Sequence, residues 1–73
     1  MVWDFSDLTK RLKETVENSG LTVTELSQKT GISIRTLKDY LAGKRYPHAG
    51  RLMKISNALG VSCDYLLFPD RIN

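Results

Sequence analysis

An apolar residue, a hydroxyl residue and a second apolar residue four positions after the hydroxyl recur three times along this chain. The sets are Leu21-Thr22 with Leu26, Ile32-Ser33 with Leu37, and Val61-Ser62 with Leu66. In each, the hydroxyl can accept from an amide of a helix's first turn while the flanking apolar pair staples the entry. Glu25, three residues after Thr22, completes a capping box. The stops are equally legible: Gly20, Gly31, Gly43 and Gly60 each follow a helical stretch, where a left-handed residue ends a helix at little steric cost. These signals predict helices over 6–18, 23–30, 34–42, 49–59 and 63–68. No segment alternates apolar and polar as a strand does, and no Asn-Gly or Asp-Gly hairpin turn occurs. Pro47 and Pro69 fall between or after the periodic segments.

Spacing then assigns the core. Leu8, Leu12 and Val16 share one face of the first helix, and Leu26 lies on the second. Leu37, Tyr40 and Leu41 lie on the third, Leu52, Ile55, Ala58 and Leu59 on the fourth, and Leu66 with Leu67 on the last. Short helices with tight connections bury such stripes only by packing on one another. The expected fold is therefore all-α: one compact five-helix bundle spanning 1–73, with its core over about 6–68. A chain of 73 residues buries only about 60% of its unfolded surface, so each core contact counts.

The second and third helices are separated by Gly31-Ile32-Ser33 alone. That connection fits a helix-turn-helix, two helices crossing steeply through a tight, glycine-containing turn. Ser27 supplies the small side chain that close approach demands, and Leu26, Ile32 and Leu37 supply apolar contacts. With Leu37, Tyr40 and Leu41 inward, the third helix turns Ile34, Arg35, Lys38 and Asp39 outward. Arg can pair bidentately with guanine, Ile34 can touch a thymine methyl, and Asp39 can accept from cytosine or pair with Arg35.

Charge agrees with a polyanionic partner. Between Lys29 and Lys54 lie seven basic residues (Lys29, Arg35, Lys38, Lys44, Arg45, Arg51, Lys54) and one acid, Asp39, a net +6. Residues 1–28 sum to −2 and residues 55–73 to −1, giving the chain its +3. Lys44, Arg45 and Tyr46, directly after Gly43, suit phosphate contacts that fix register without reading sequence. The start of the second helix, Thr22, Val23 and Thr24, offers backbone N–H groups and hydroxyls to another phosphate.

The run from Leu21 to Ser33, continued through Leu41-Ala42-Gly43-Lys44-Arg45-Tyr46-Pro47 and Leu52 to Leu67, resembles the lambda-repressor-like helix-turn-helix family, which includes Cro and phage-repressor domains. The resemblance covers nearly the whole chain from the first helix to Phe68. It implies sequence-specific binding of a double-stranded DNA operator by a small transcriptional regulator of repressor type, dimeric at least on DNA. It adds Ser33 to the base-reading set Ile34, Arg35, Lys38 and Asp39, and Thr36 to the phosphate set Thr22, Val23, Thr24, Lys44, Arg45 and Tyr46. Three positions depart from the family pattern. Val23 stands where many members carry Gln or another polar residue, Ile34 stands where many begin the third helix with a polar base reader, and Val16 and Leu41 stand where some hold an Arg–Glu pair.

The rival reading is a helix-turn-helix used as a protein-interaction module, for instance an antirepressor. Val23 and Ile34 favour it, because apolar residues on a groove face suit protein contacts, whereas the basic middle favours DNA. Neither reading calls for an enzyme, a cofactor, a metal or a small-molecule ligand. Paired carboxylates, a nucleophile–base pair, a glycine-rich phosphate loop and metal-ligand spacing are all missing from the sequence. Cys63 is the sole cysteine, which fits a reducing cytoplasm, and no apolar run approaches bilayer length. His48 is expected at the surface. Trp3 and Phe5 are expected to cover the core or to join a dimer contact, for which Phe68 and Ile72 are the other candidates. With five residues after Phe68, a dimer is expected to use the helical domain itself or to form only on DNA.

Overall fold

The computed structural model describes residues 5–67, and every regular element among them is helical. In chain order these are α1 (Phe5–Ser19), α2 (Val23–Thr30), α3 (Ile34–Ala42), α4 (Ala49–Leu59) and α5 (Cys63–Leu67). All three capping signatures act as read. The Thr22 hydroxyl accepts from the Glu25 N–H at 3.1 Å while the Glu25 carboxylate accepts from the Thr22 N–H at 3.0 Å. Ser33 accepts from the Thr36 N–H at 3.2 Å, and Ser62 from the Tyr65 N–H at 3.1 Å. The start of α4 has no hydroxyl, and there the exposed His48 takes the role, its Nδ1 accepting from the Arg51 N–H at 3.4 Å.

The helices close around Leu8, Leu12, Val16, Leu26, Ile32, Leu37, Tyr40, Leu52, Ile55 and Leu66, with Ile55 fully enclosed at the centre. Helix α1 packs against α3, α4 and α5, while α2 packs against α3 and α4. Leu41, Ala58, Leu59 and Leu67 are half-buried and pack onto this core from its rim. Leu41 and Leu67 each sit one residue from a buried neighbour, Tyr40 and Leu66, about 100° round the helix, which turns them partly toward solvent. Helix α1 is also tied to α5 by the Arg11 guanidinium, 5.8 Å from the centre of the Tyr65 ring. Trp3, Phe68, Ile72 and the Phe5 side chain, expected at the core's edge or in a dimer contact, lie outside the described residues.

The turn between α2 and α3 is the most tightly specified part of the chain. Gly31 adopts φ +75, a left-handed conformation in which a Cβ would be strained, and its N–H donates to the Ser27 carbonyl at 2.8 Å. The next residue, Ile32, is buried, so both of its backbone polar groups need partners away from water. Helix α2 supplies both. The Ser27 hydroxyl donates to the Ile32 carbonyl at 2.6 Å, and the buried Thr30 hydroxyl accepts from the Ile32 N–H at 3.2 Å. Thr30 also donates to the Leu26 carbonyl at 2.8 Å.

Thr30→Val keeps the shape and removes the acceptor, leaving a buried amide unsatisfied. It should destabilise the domain by about 1–3 kcal/mol, read as a drop in Tm of about 4–8 °C per kcal/mol for a chain this size. An unchanged thermal midpoint would show that the Ile32 amide does not depend on Thr30.

Candidate nucleic-acid interface

Helix α3 carries nine residues and is about 13 Å long, and a helix with its side chains is about 10–12 Å across, which fits a DNA major groove about 12 Å wide. At 100° per residue, Ile34, Lys38, Arg35 and Asp39 fall within an arc of about 140°, on the side away from the buried Leu37 and Tyr40. Arg35 and Lys38 are exposed, Ile34 is 38% exposed and Asp39 is half-buried. The helix thus presents two cations and one branched aliphatic side chain on a single outward face.

Ser33 and Thr36 are placed differently from that arc. The Ser33 hydroxyl caps α3 and donates its one proton to Thr36 Oγ1 at 2.8 Å. Thr36 Oγ1 accepts that bond and keeps its own proton to donate. A hydroxyl with one donor leaves Ser33 only acceptor capacity toward a ligand, whereas Thr36 retains a donor suited to a phosphate oxygen.

At the start of α2 the capping box takes up the Thr22 and Glu25 amides. The Val23 and Thr24 N–H groups stand in the first turn, where a helix provides no acceptor of its own. The Thr22 hydroxyl accepts from the Glu25 N–H and also stands against the Glu25 carboxylate, and Thr24 is exposed. Val23 is half-buried with its side chain packed on the core, so what it offers outward is the backbone N–H. One of the two apolar residues that favoured a protein partner therefore turns inward, and Ile34 alone remains on the outer face.

The loop after α3 is anchored by its own backbone. Gly43, at φ +77, donates to the Tyr40 carbonyl at 3.2 Å, while Lys44 and Arg45 donate to the Asp39 carbonyl at 2.9 and 3.4 Å. This is a Schellman closure. It consumes the Lys44 and Arg45 amides, so any contact these residues make outward is made by their charged side chains, both exposed. Tyr46 is 44% exposed beside them. The predicted residues thus form three groups on α2, α3 and the following loop, with Ser33 and Val23 serving partly as cap and packing.

Sequence reasoning missed one member of this region. The buried Tyr40 was read as core only, yet its hydroxyl accepts from Arg51 Nη1 of α4 at 2.9 Å. A tyrosine among leucines with a cation 11 residues on was the available signal. Cys63 also gains a neighbour, its Sγ lying 3.2 Å from the buried Ser56 Oγ, a contact that ties α5 to α4.

Comparison with known proteins decides the family. The helix-turn-helix family model matches residues 12–66, which takes in the α2–α3 turn, the following loop and α4. The chain belongs to the lambda-repressor-like helix-turn-helix family. It is 39% identical over 66 residues to the HTH-type transcriptional regulator ImmR of Bacillus subtilis (strain 168), an alignment covering 90% of this chain and 52% of ImmR. The chain spans about half the length of that curated relative. As expected of this family, the described residues hold five helices and no strand. Among them, no helix is long and apolar enough to cross a membrane.

Within this family member's α2 cap, one group titrates away from its ordinary range. The Thr22 backbone N–H, and after it the Thr22 hydroxyl, hold the Glu25 carboxyl below its usual 4.5. A depressed folded-state pKa means the unfolded chain takes up the proton first. The cap's contribution is therefore complete above pH 4.5 and is lost as pH falls through the lower folded value. Glu25→Gln should flatten the acid limb of the stability curve below pH 4.5, measured as Tm against pH for both proteins. Parallel acid limbs would show that Glu25 does not carry that dependence.

Proposed function

We propose that this protein binds double-stranded DNA sequence-specifically and regulates transcription as a repressor, inserting α3 into the major groove. The observation that carries the reading is the outward arc of Ile34, Arg35 and Lys38, flanked by the α2 first turn and the Lys44–Arg45 loop. A groove-bound helix meets base edges with its first turns, where Arg35 can pair bidentately with guanine and Ile34 can pack on a thymine methyl. Thr22, Thr24, Thr36 and the Val23 amide face one stretch of backbone, and Lys44, Arg45 and Tyr46 another. Those contacts position the domain without reading sequence. Family membership and the similarity to a transcriptional regulator support the same reading.

Repression requires only that an occupied site overlap a promoter, which a small groove-filling domain achieves without a further surface. A single α3 reads too few base pairs for a unique site, so the protein acts as a homodimer on two half-sites. The domain measures 35 × 24 × 21 Å, and its two shorter dimensions let two copies sit about 34 Å apart, one helical turn, on the same DNA face. No cofactor, metal or small-molecule ligand enters this account, and the protein works where DNA is, in the cytoplasm at the nucleoid.

Two titrations test it on a duplex selected from random DNA and on a scrambled duplex. With about 4–6 phosphates neutralised per dimer, log K should fall against log salt with a slope of about −4 to −5. Arg35→Ala should lose about 1–3 kcal/mol on the selected duplex and much less on the scrambled one. Lys44→Ala with Arg45→Ala should weaken both duplexes alike and flatten the slope by about one per lost contact. An affinity indifferent to salt would contradict phosphate-driven binding and favour a protein partner meeting Ile34. Equal losses on both duplexes for Arg35→Ala would make Arg35 a phosphate ligand instead of a base reader.

A further inference from the structure

The α3–α4 junction is unusual in how little backbone contact joins it. The backbones of α3 and α4 do not pack directly on each other, so side chains make the join. Among the described residues its one hydrogen bond is Arg51 Nη1 donating to the Tyr40 hydroxyl at 2.9 Å. Tyr40 is buried at 3% exposure, with its ring fixed in the core, and Arg51 is half-buried. A charge-assisted bond from a guanidinium to a fixed phenol is directional and holds both partners.

The loop that would grip phosphate hangs between these helices. Its start is bound to α3 through the Asp39 carbonyl, which accepts from Lys44 and Arg45. Its end is the capped start of α4, where His48 accepts from the backbone of Arg51 itself. Lys44 and Arg45 are thus tied to the end of α3, and the loop's far end goes where α4 begins. Helix α4 packs on α1, α2 and α5, and Arg51 adds its direct tie to α3 through its side chain to Tyr40 and to the loop's end through its backbone to His48.

We infer that Arg51 and Tyr40 are positioning residues for specificity: their bond sets the spacing between the base-reading face of α3 and the phosphate-gripping loop. The inference rests on the DNA-binding reading. Binding a correct site requires base and phosphate contacts to be met in one register. Random DNA lets the domain settle wherever phosphates are satisfied, so loosening the spacing should penalise specific binding selectively. Arg51, counted among the basic residues of the middle segment, thus acts through Tyr40 and not as a phosphate ligand.

Tyr40→Phe, Arg51→Met and the double variant separate these roles, with thermal melts alongside. Tyr40→Phe removes one hydroxyl and no charge, so it leaves every cation in place. Each single variant should weaken binding to the selected duplex about three- to tenfold. Scrambled-duplex affinity and salt slope should stay at wild-type values, and the double variant should be no worse than either single. Tyr40→Phe binding the selected duplex as tightly as wild type would overturn the inference. So would an Arg51→Met variant whose salt slope flattens by about one, the signature of a lost phosphate contact. A wild-type protein that fails to distinguish the two duplexes would instead overturn the DNA reading beneath it.

Discussion

Both backbone polar groups of Ile32 are satisfied by hydroxyls of α2, and the relation between α2 and α3 depends on that pairing. A buried residue in a three-residue turn cannot hand its N–H and C=O to water. Ser27 and Thr30, one taking the carbonyl and the other serving the amide, make burial of the Ile32 side chain possible. Gly31 supplies the left-handed step that brings the chain round to them. With Ile32 seated, Leu26 and Leu37 are held together in the core, and the direction of α3 follows. The face α3 turns outward is thus decided by what α2 does to one buried residue.

From α3 onward the constraint passes through one backbone closure and one side-chain bond. The Schellman closure at Gly43 holds the loop to the end of α3, and the Arg51–Tyr40 bond holds α4 to the last turn of α3. Neither feature touches the outward arc of Ile34, Arg35 and Lys38. Together they determine where cations of the loop stand relative to that arc. In the proposed complex this relation separates a protein that binds DNA from one that binds a particular site. The division of labour is visible in the residues: Ser27 and Thr30 serve the buried turn, while Arg35, Lys38, Lys44 and Arg45 are left exposed.

Much of this was legible in the sequence because its helix signals are local. A hydroxyl at the cap with an apolar pair around it specifies a helix start within six residues, and Thr22, Ser33 and Ser62 all cap as read. The core stripe was legible for the same reason. What escaped were partnerships between distant residues or between a side chain and another residue's backbone. Thr30 is a polar residue at a helix end with no local mark of burial, yet it lies in the core and its oxygen serves the Ile32 amide. Tyr40 looked like core, and the acceptor role of its hydroxyl depends on Arg51 lying across a loop. His48 looked like a surface residue; it is exposed, but it also caps a helix whose start carries no hydroxyl. Ser33 caps α3 by accepting from the Thr36 N–H and gives its proton to Thr36 Oγ1, a side-chain pairing that spacing alone does not show.

In the proposed complex the start of α2, the outer face of α3 and the loop after it meet DNA together. Titrating isotopically labelled protein with a selected duplex while recording backbone amide chemical shifts tests this directly. The largest changes should fall at Thr22–Thr24, Ser33–Asp39 and Lys44–Tyr46. The exposed acids of α1, Glu14 and Glu17, should stay near their free positions. Largest changes centred on α1 or α5, with the α3 amides unmoved, would contradict it.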